Sequence, residues 1–423
     1  MRVGWATPWE TNFLIGHPCR GSVKDGVSHG IFEHGPQFGF NCISRDPWSQ
    51  DNERYLRTVS PLGRVQLDVT YRCNERCVHC YLDHEDHGEM TTGEIKHLLD
   101  EMADAGVFIL TFSGGEIFLR KDFFELLEYS RQLMFCVKLK TNAIMIRERE
   151  AARIRDLGVQ SIQISIYSHR PEVHDAITLV PGSLKRSLDA IRFLKSQGLR
   201  VIMANVLMVQ NMADYTGVRA LAAELGVECT LDPTITPMMD GDRSVLSLGV
   251  DQNALRQVFR DASLVGDVDE FCAVAAPANQ SELESLPCSA GHTSCYVSPY
   301  GDVFPCVQFP LPTGNVRQQR FIDIWRHSDA MNDVRSIRLK DLTTCTSCSH
   351  VSSCSRCPGL AFMEGNMRGP SSQDCERSFA RTGVPSANML AKKNAGASLG
   401  RANLVQIQAL PVSAATSAAS AIA

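Results

Sequence analysis

Three cysteines share one short stretch of the chain, in the run Cys73-Asn74-Glu75-Arg76-Cys77-Val78-His79-Cys80-Tyr81. The C-x3-C-x2-C spacing supplies three thiolates, whereas a cubic iron–sulfur cluster has four irons and is usually closed by four cysteines. One iron is left without a protein ligand. An incomplete ligand set marks a binding position, by the logic that separates open catalytic zinc sites from closed structural ones. Zinc is the competing reading, since cysteines a few residues apart also build zinc ribbons. A second run, Ser113-Gly114-Gly115-Glu116, follows downstream. Paired glycines let a ligand approach the backbone closely, and the glutamate offers a fixed negative charge for an ammonium group. A plain strand-to-helix turn accounts for the same residues.

Further cysteines crowd the last third of the chain. Cys288 and Cys306 flank Gly301, and Cys345-x2-Cys348-x5-Cys354-x2-Cys357 precedes a lone Cys375. Two C-x2-C pairs form a ribbon signature. Zinc normally takes four ligands per site, however, and seven cysteines do not divide into such sites. Cys19, Cys42, Cys136 and Cys229 have no partner spacing and read as packing residues.

Composition narrows the setting. The 423 residues carry a net charge of −5 with no long basic run, so no phosphate-tracking surface and no nucleic-acid partner are expected. No apolar stretch of about 18 residues is present, which argues against a membrane span. Residues 1–16 include Pro8 and Glu10 and lack an apolar signal core. The expected location is the cytoplasm, where sixteen cysteines point to metal or redox chemistry rather than a disulfide framework.

These residues need a frame, and the hydrophobic pattern describes one. Residues 1–62 are rich in Gly, His, Pro and Trp without a clear period, and read as an irregular extension. Over 63–265, β-branched runs alternate with amphipathic segments six times. Strands are expected at 65–70, 107–113, 136–141, 161–166, 200–207 and 227–231. Helices are expected to start near Thr92, Asp122, Arg147, Ser183, Met212 and Asp251. Thr91 and Glu94 have capping-box spacing, and Ser183 follows Pro181-Gly182 as an N-cap. Alternating units of this kind predict an α/β fold with a parallel sheet, here a partial (β/α)6 TIM-like barrel. Barrels of this kind place chemistry on loops leaving the C-terminal ends of strands, where Cys73, Cys77 and Cys80 fall. Residues 266–287 read as a linker, 288–380 as a small cysteine-rich domain, and 381–423, turning to Ala and Ser, as a disordered tail.

The cysteine triad, the aromatic residue after it and Gly-Gly-Glu after the next strand together resemble the radical S-adenosylmethionine superfamily. The resemblance implies a 4Fe–4S cluster whose unligated iron is chelated by the methionine moiety of S-adenosylmethionine. It implies catalytic cluster ligation by Cys73, Cys77 and Cys80. Gly114, Gly115 and Glu116 would hold the methionine amino group and Tyr81 would lie beside the adenine. Ser165 would contact the carboxylate or ribose, and Asn142 would line the same cavity. His174-Asp175 before Pro181-Gly182-Ser183 also resembles a superfamily run; a proton shuttle and a helix cap both explain it, and the cap is preferred.

The downstream cysteines resemble the SPASM domain, an auxiliary-cluster extension of peptide-modifying radical enzymes. By that resemblance Cys345, Cys348, Cys354 and Cys375 ligate one auxiliary 4Fe–4S cluster, and Cys288, Cys306 and Cys357 hold another. The fourth ligand of the second is open, with Cys295 and Cys272 as candidates or a site open to substrate. Between Cys354 and Cys357 stand two residues where the commonest pattern has three, which leaves the pairing of Cys357 open. The implied activity is reductive cleavage of S-adenosylmethionine, hydrogen abstraction from a ribosomally made peptide or protein, and net oxidation to a crosslink, thioether or double bond. A separate peptide-carrier protein and an external one-electron reductant are the implied partners. A small-molecule or tetrapyrrole-pathway substrate is the alternative, and a non-catalytic iron–sulfur carrier or zinc-stabilised binding module is the reading of another class.

Overall fold

The computed structural model describes residues 62–395. The expected N-terminal extension, Cys19, Cys42 and residues 396–423 fall outside them. Six parallel strands, each followed by helical structure, make up the first body: β1 Arg64–Asp68, β2 Ile109–Ser113, β3 Cys136–Thr141, β4 Ser161–Ser165, β5 Val201–Val206 and β6 Glu228–Asp232. The helices between them are α1 Thr92–Asp104, α2 Phe123–Gln132, α3 Glu148–Asp156, α4 Pro171–Thr178, α5 Ser183–Ser196 and α6 Tyr215–Glu224. The α/β reading holds, and the strands fall within about two residues of where the hydrophobic runs place them.

Local chemistry sets the boundaries. Thr91 Oγ1 accepts from Glu94 N–H while Glu94 Oε2 accepts from Thr91 N–H, a reciprocal box that opens α1. Ser183 is not the cap of α5, as expected from sequence, but its first residue. Gly182 caps in a left-handed conformation (φ 74°) that costs glycine nothing, and the side-chain acceptor comes from Asp175. Helix α4, absent from the six-unit reading, starts with a proline at its first turn.

The second region extends the same sheet. Strand β7, Ser294–Val297, adds parallel to β1 with Gln66 opposite Tyr296. The short β8, Asp302–Phe304, and β9, Gly314–Asn315, continue it antiparallel. The order β6-β5-β4-β3-β2-β1-β7-β8-β9 is open, so the barrel is partial. Leu67, Phe112, Val137, Ile162 and Met203 from the strands share one core with Ile95, Leu126, Ile154 and Ile191 from the helices. Phe321, Ile324 and Trp325 from α11 (Phe321–His327) join that core. Short helices α7 Gln252–Val258, α8 Ala262–Val265, α9 Val268–Cys272 and α10 Gln280–Leu283 bridge the two regions, and α12 Asp329–Ser336, α13 Pro358–Met363 and α14 Ser372–Thr382 complete the second. The chain does not become irregular at 381. Helix α14 continues to Thr382 and α15, Ala387–Ala395, packs on it. Among the described residues no helix is long and apolar enough to cross a membrane.

Candidate active site

Strand β1 ends at Asp68, and the chain leaves it as a loop that carries Cys73, Cys77 and Cys80. Two N–H groups of that loop, on Arg76 and Val78, donate to the carbonyls of Thr178 and Ile177 at 3.1 and 3.0 Å. These carbonyls end α4 and have no partner within the helix, so the loop and the helix terminus satisfy each other. Cys80 N–H closes a turn on Cys77 O, and Glu75 N–H points at Cys73 Sγ from 3.4 Å. Burial pushes the Cys73 thiol up to about 12 and raises those of Cys77 and Cys80. A metal entering here displaces those protons.

The donor set fits a cubane anchored at three corners: three free thiols on one loop, with a backbone N–H aimed at one sulfur. Among the described residues no three His, Cys, Asp or Glu side chains converge closely enough for a single metal ion. A cubane spreads its thiolates over separate irons and needs no such convergence.

Ser113-Gly114-Gly115-Glu116 leaves β2 directly against the start of that loop. Gly115 N–H donates to Thr70 O at 2.8 Å and Glu116 N–H to Arg72 O at 2.9 Å. A Cβ on Gly114 would sit 2.2 Å from Thr70 O, and one on Gly115 2.3 Å from Arg72 O. The backbone that comes close to these glycines on the Cβ side is thus the chain's own. Glu116 is fully buried, and its carboxylate accepts from Phe118 N–H (3.1 Å), Asn142 N–H (2.9 Å) and Thr141 Oγ1 (2.7 Å). The sequence reading gave this charge to an ammonium group; the structure gives it three protein donors that tie the exits of β2 and β3 together. Desolvation raises its pKa, and the donors oppose that rise.

Asn142, at the exit of β3, reaches the cluster loop. Its Nδ2 donates to Asn74 Oδ1 at 2.7 Å and stands 3.8 Å from Cys73 Sγ, while its carbonyl accepts from Ser187 Oγ at 2.7 Å. Ser165 is the last residue of β4 and lies half-buried beside Tyr167. Tyr81 packs with Tyr296, Phe304, Val307, Met239 and Cys306. His174 is buried, accepts Tyr167 N–H at Nδ1 and is held down to about 4 by desolvation. It is neutral near pH 7. Asp175 accepts from Ser183 Oγ (2.9 Å) and from the N–H groups of Gly182 and Leu184, the capping role preferred from sequence.

In the second region Cys345, Cys348, Cys354 and Cys375 line one cavity, together with His350, Arg356 and Asp374. Ser378 Oγ donates to Cys354 Sγ at 3.4 Å, Ala387 N–H to Cys348 Sγ at 3.4 Å and Asn388 Nδ2 to Cys375 Sγ at 3.7 Å. Sequence reasoning missed Asn388 and Ala387, because they lie where composition turns low-complexity and no motif marks them. Cys288, Cys306 and Cys357 form a separate half-buried group close enough to feel one another's charge. Neither proposed fourth member joins it. Cys295 is buried in the main core on β7, and Cys272 Sγ donates to Phe259 O at 3.4 Å. The polar neighbour of Cys357 Sγ is instead Gln308 Oε1 at 3.7 Å. Cys136 and Cys229 lie on β3 and β6, away from both groups.

Two family models match the chain over these two regions. Residues 67–219 match the Radical SAM superfamily, and residues 288–358 match the iron-sulfur cluster-binding domain called SPASM. The chain belongs to the radical SAM superfamily, carries a C-terminal SPASM domain and is an enzyme. Its cofactors are a 4Fe–4S cluster with S-adenosylmethionine in the barrel and auxiliary iron–sulfur clusters in the SPASM domain. Among its relatives is an AdoMet-dependent heme synthase of Methanosarcina barkeri, 29% identical over 70% of this chain and 91% of the relative. Another is the mycofactocin maturase MftC of Mycolicibacterium smegmatis, 27% identical over 74% of this chain and 82% of the relative. The crystal structure of Streptococcus suis SuiB bound to precursor peptide SuiA shares the fold, with a TM-score of 0.62 at 16% identity, over 81% of this chain and 84% of that one.

Proposed function

We propose that this enzyme oxidatively modifies a ribosomally made peptide or protein, forming a crosslink, a thioether or a double bond. The reading is carried by one observation: Tyr81, which follows the open three-thiol loop, and Cys306 of the second cysteine group pack against the same Tyr296–Phe304–Val307 cluster. When bound, the barrel cluster and S-adenosylmethionine supply one-electron cleavage of the C5′–S bond and a carbon radical that takes hydrogen from substrate. Cys73, Cys77 and Cys80 hold that cluster at three corners. Gly114, Gly115, Asn142, Ser165 and Tyr81 border the space beside it. Glu116 acts one layer behind, by fixing the strand exits that present Asn142. Cys345, Cys348, Cys354 and Cys375 hold one auxiliary cluster and Cys288, Cys306 and Cys357 another, which gives the electron released by a net oxidation somewhere to go.

The maturase relative supports a peptide substrate. The heme synthase relative supports a second reading, a tetrapyrrole-pathway substrate. The test is anaerobic incubation of the reconstituted enzyme with S-adenosylmethionine, a strong reductant and either a candidate peptide encoded beside the gene or a tetrapyrrole. Mass spectrometry should show loss of hydrogen from the peptide, and 5′-deoxyadenosine should accumulate. About twelve irons per chain are expected for three clusters. Turnover of the tetrapyrrole with an unmodified peptide reverses the substrate assignment. A Cys73/Cys77/Cys80→Ala triple variant that still forms 5′-deoxyadenosine overturns the site.

A further inference from the structure

Close to the cluster loop, the open end of the barrel carries an open basin of about 380 Å3 lined by Asn74, Ile144, Met145, Arg147, Val180 and Arg186. None of the six is acidic. Arg147 is exposed and spends Nη1 on the carbonyls of Ile144 and Ile146; Arg186 spends Nε and Nη2 on those of Gly182 and Pro181. Among the described residues neither guanidinium forms an ion pair. The acid whose charge answers to Arg186 is Glu75, buried beneath the surface. A third guanidinium, on exposed Arg76, caps the Cys73 carbonyl. Apolar surface accompanies the charge: Met145 is 39% exposed, and Leu179, next in sequence to Val180, is 57% exposed.

The basin is also close to the first thiol. Asn74, one of its walls, adjoins Cys73 in the chain and is hydrogen-bonded to Asn142, whose amide lies 3.8 Å from Cys73 Sγ. A small apolar surface flanked by two guanidiniums, beside a redox centre, suits a brief encounter steered by charge rather than a permanent interface.

We propose that this arginine basin is the docking surface for a small acidic one-electron carrier protein that reduces the barrel cluster. The inference rests on the radical enzyme reading, which needs a reductant from outside the chain. In the step the carrier loses one electron and the cluster gains it, with no bond formed or broken. Negative side chains of the carrier meet Arg147 and Arg186, and its apolar redox face meets the exposed Met145 and Leu179. The barrel interior stays free for cofactor and substrate.

The test is anaerobic stopped-flow reduction of the reconstituted holoenzyme by two donors, an acidic flavodoxin in its fully reduced form and the cationic radical of methyl viologen. Electron paramagnetic resonance of quenched samples identifies the barrel cluster by its response to S-adenosylmethionine. The double variant Arg147→Glu/Arg186→Glu should slow reduction by flavodoxin roughly tenfold or more at low salt and flatten its salt dependence. Reduction by methyl viologen should stay the same or quicken. The milder Arg147→Gln/Arg186→Gln pair should fall between, and Arg320→Glu, on the far region, should match the wild type. An unchanged flavodoxin rate in the double reversal overturns the proposal. So does a variant reduced normally by flavodoxin that no longer modifies substrate, which would assign the basin to substrate. A wild type whose cluster accepts an electron from methyl viologen yet never cleaves S-adenosylmethionine refutes the enzyme reading instead.

Discussion

Replacing Glu116 by Ala separates two roles for the glutamate of the Gly-Gly-Glu run. If its carboxylate held the methionine amino group, the variant would lose cofactor affinity and little else. The geometry gives the carboxylate a structural role that such a variant would also remove. The side chain is fully buried, and its loss leaves Phe118 N–H, Asn142 N–H and the Thr141 hydroxyl without acceptors. A buried group stripped of its partner costs about 1–3 kcal/mol, and three neighbours are not additive, so a total of about 3–5 kcal/mol is expected. For a chain of this size that corresponds to a midpoint lower by roughly 3–6 °C. The assay is calorimetry of iron-free protein at one scan rate, beside equilibrium binding of S-adenosylmethionine to the reconstituted enzyme. Glu116→Gln keeps one acceptor oxygen but turns an amide N–H2 toward a donor, and should lie in between. Affinity should fall in step with stability, because Asn142 is displaced. A Glu116→Ala protein that melts within about 1 °C of wild type yet loses cofactor binding would refute the reasoning.

Three further outcomes are expected. Cys345→Ala or Cys348→Ala should leave basal 5′-deoxyadenosine formation intact and abolish modified product, as measured by chromatography and mass spectrometry; full turnover would make that cavity merely structural. Burial raises Asp68 to about 6, so its favoured folded form is the protonated one, and the stability it contributes is present below about 4 and lost as pH rises through 6. Asp68→Asn should therefore melt progressively higher than wild type between pH 4 and pH 8, by at most about 3 kcal/mol, and parallel curves would contradict this. Asp175→Ala should cost about 1–2 kcal/mol by uncapping α5, with the rate of S-adenosylmethionine cleavage unchanged; a collapse of that rate would give the carboxylate a chemical role.

Much of the frame was legible because it is local. The runs at 136–141 and 161–165 are bounded by turn residues and buried on at least one face, so hydrophobic period alone marks them. The Thr91–Glu94 box is likewise written in four consecutive residues. What escaped depends on partners distant in sequence. No local pattern says that Glu116 will be enclosed by the exit of β3, because its donors lie 25 and 26 positions away. Cys295 reads from sequence either as a spare ligand or as a buried strand cysteine, and only the pairing of β7 with β1 decides for the second, by turning it opposite Val65 and into the hydrophobic interior. Asn388 and Ala387 reach the auxiliary thiols only through the packing of α15 on α14, which composition misread as the start of a tail.

The pairing of β7 with β1 also bears on how two redox sites are kept in register. Some sixty residues lie between β6 and β7, and a separation that long would without further contacts leave the second region free to wander. The sheet removes that freedom. Four consecutive pairs run from Arg64 opposite Ser294 to Leu67 opposite Val297, and a slip of one residue would turn Cys295 and Val297 out of the core and Tyr296 into it. In the observed register Tyr296 donates to Asp68 Oδ2 at 3.1 Å and shares a 2.6 Å hydrogen bond with Tyr71. Asp68 ends the strand that launches the Cys73–Cys80 loop, and Tyr296 packs on Phe304, two residues before Cys306. The spacing between the open cysteine loop and the second cysteine group therefore draws on strand pairing and a buried Asp–Tyr–Tyr contact, with the packing of α7 on α14 as further support. Lengthening the linker by a few residues should leave both sites in place, whereas shifting the register of β7 by one residue should disrupt both.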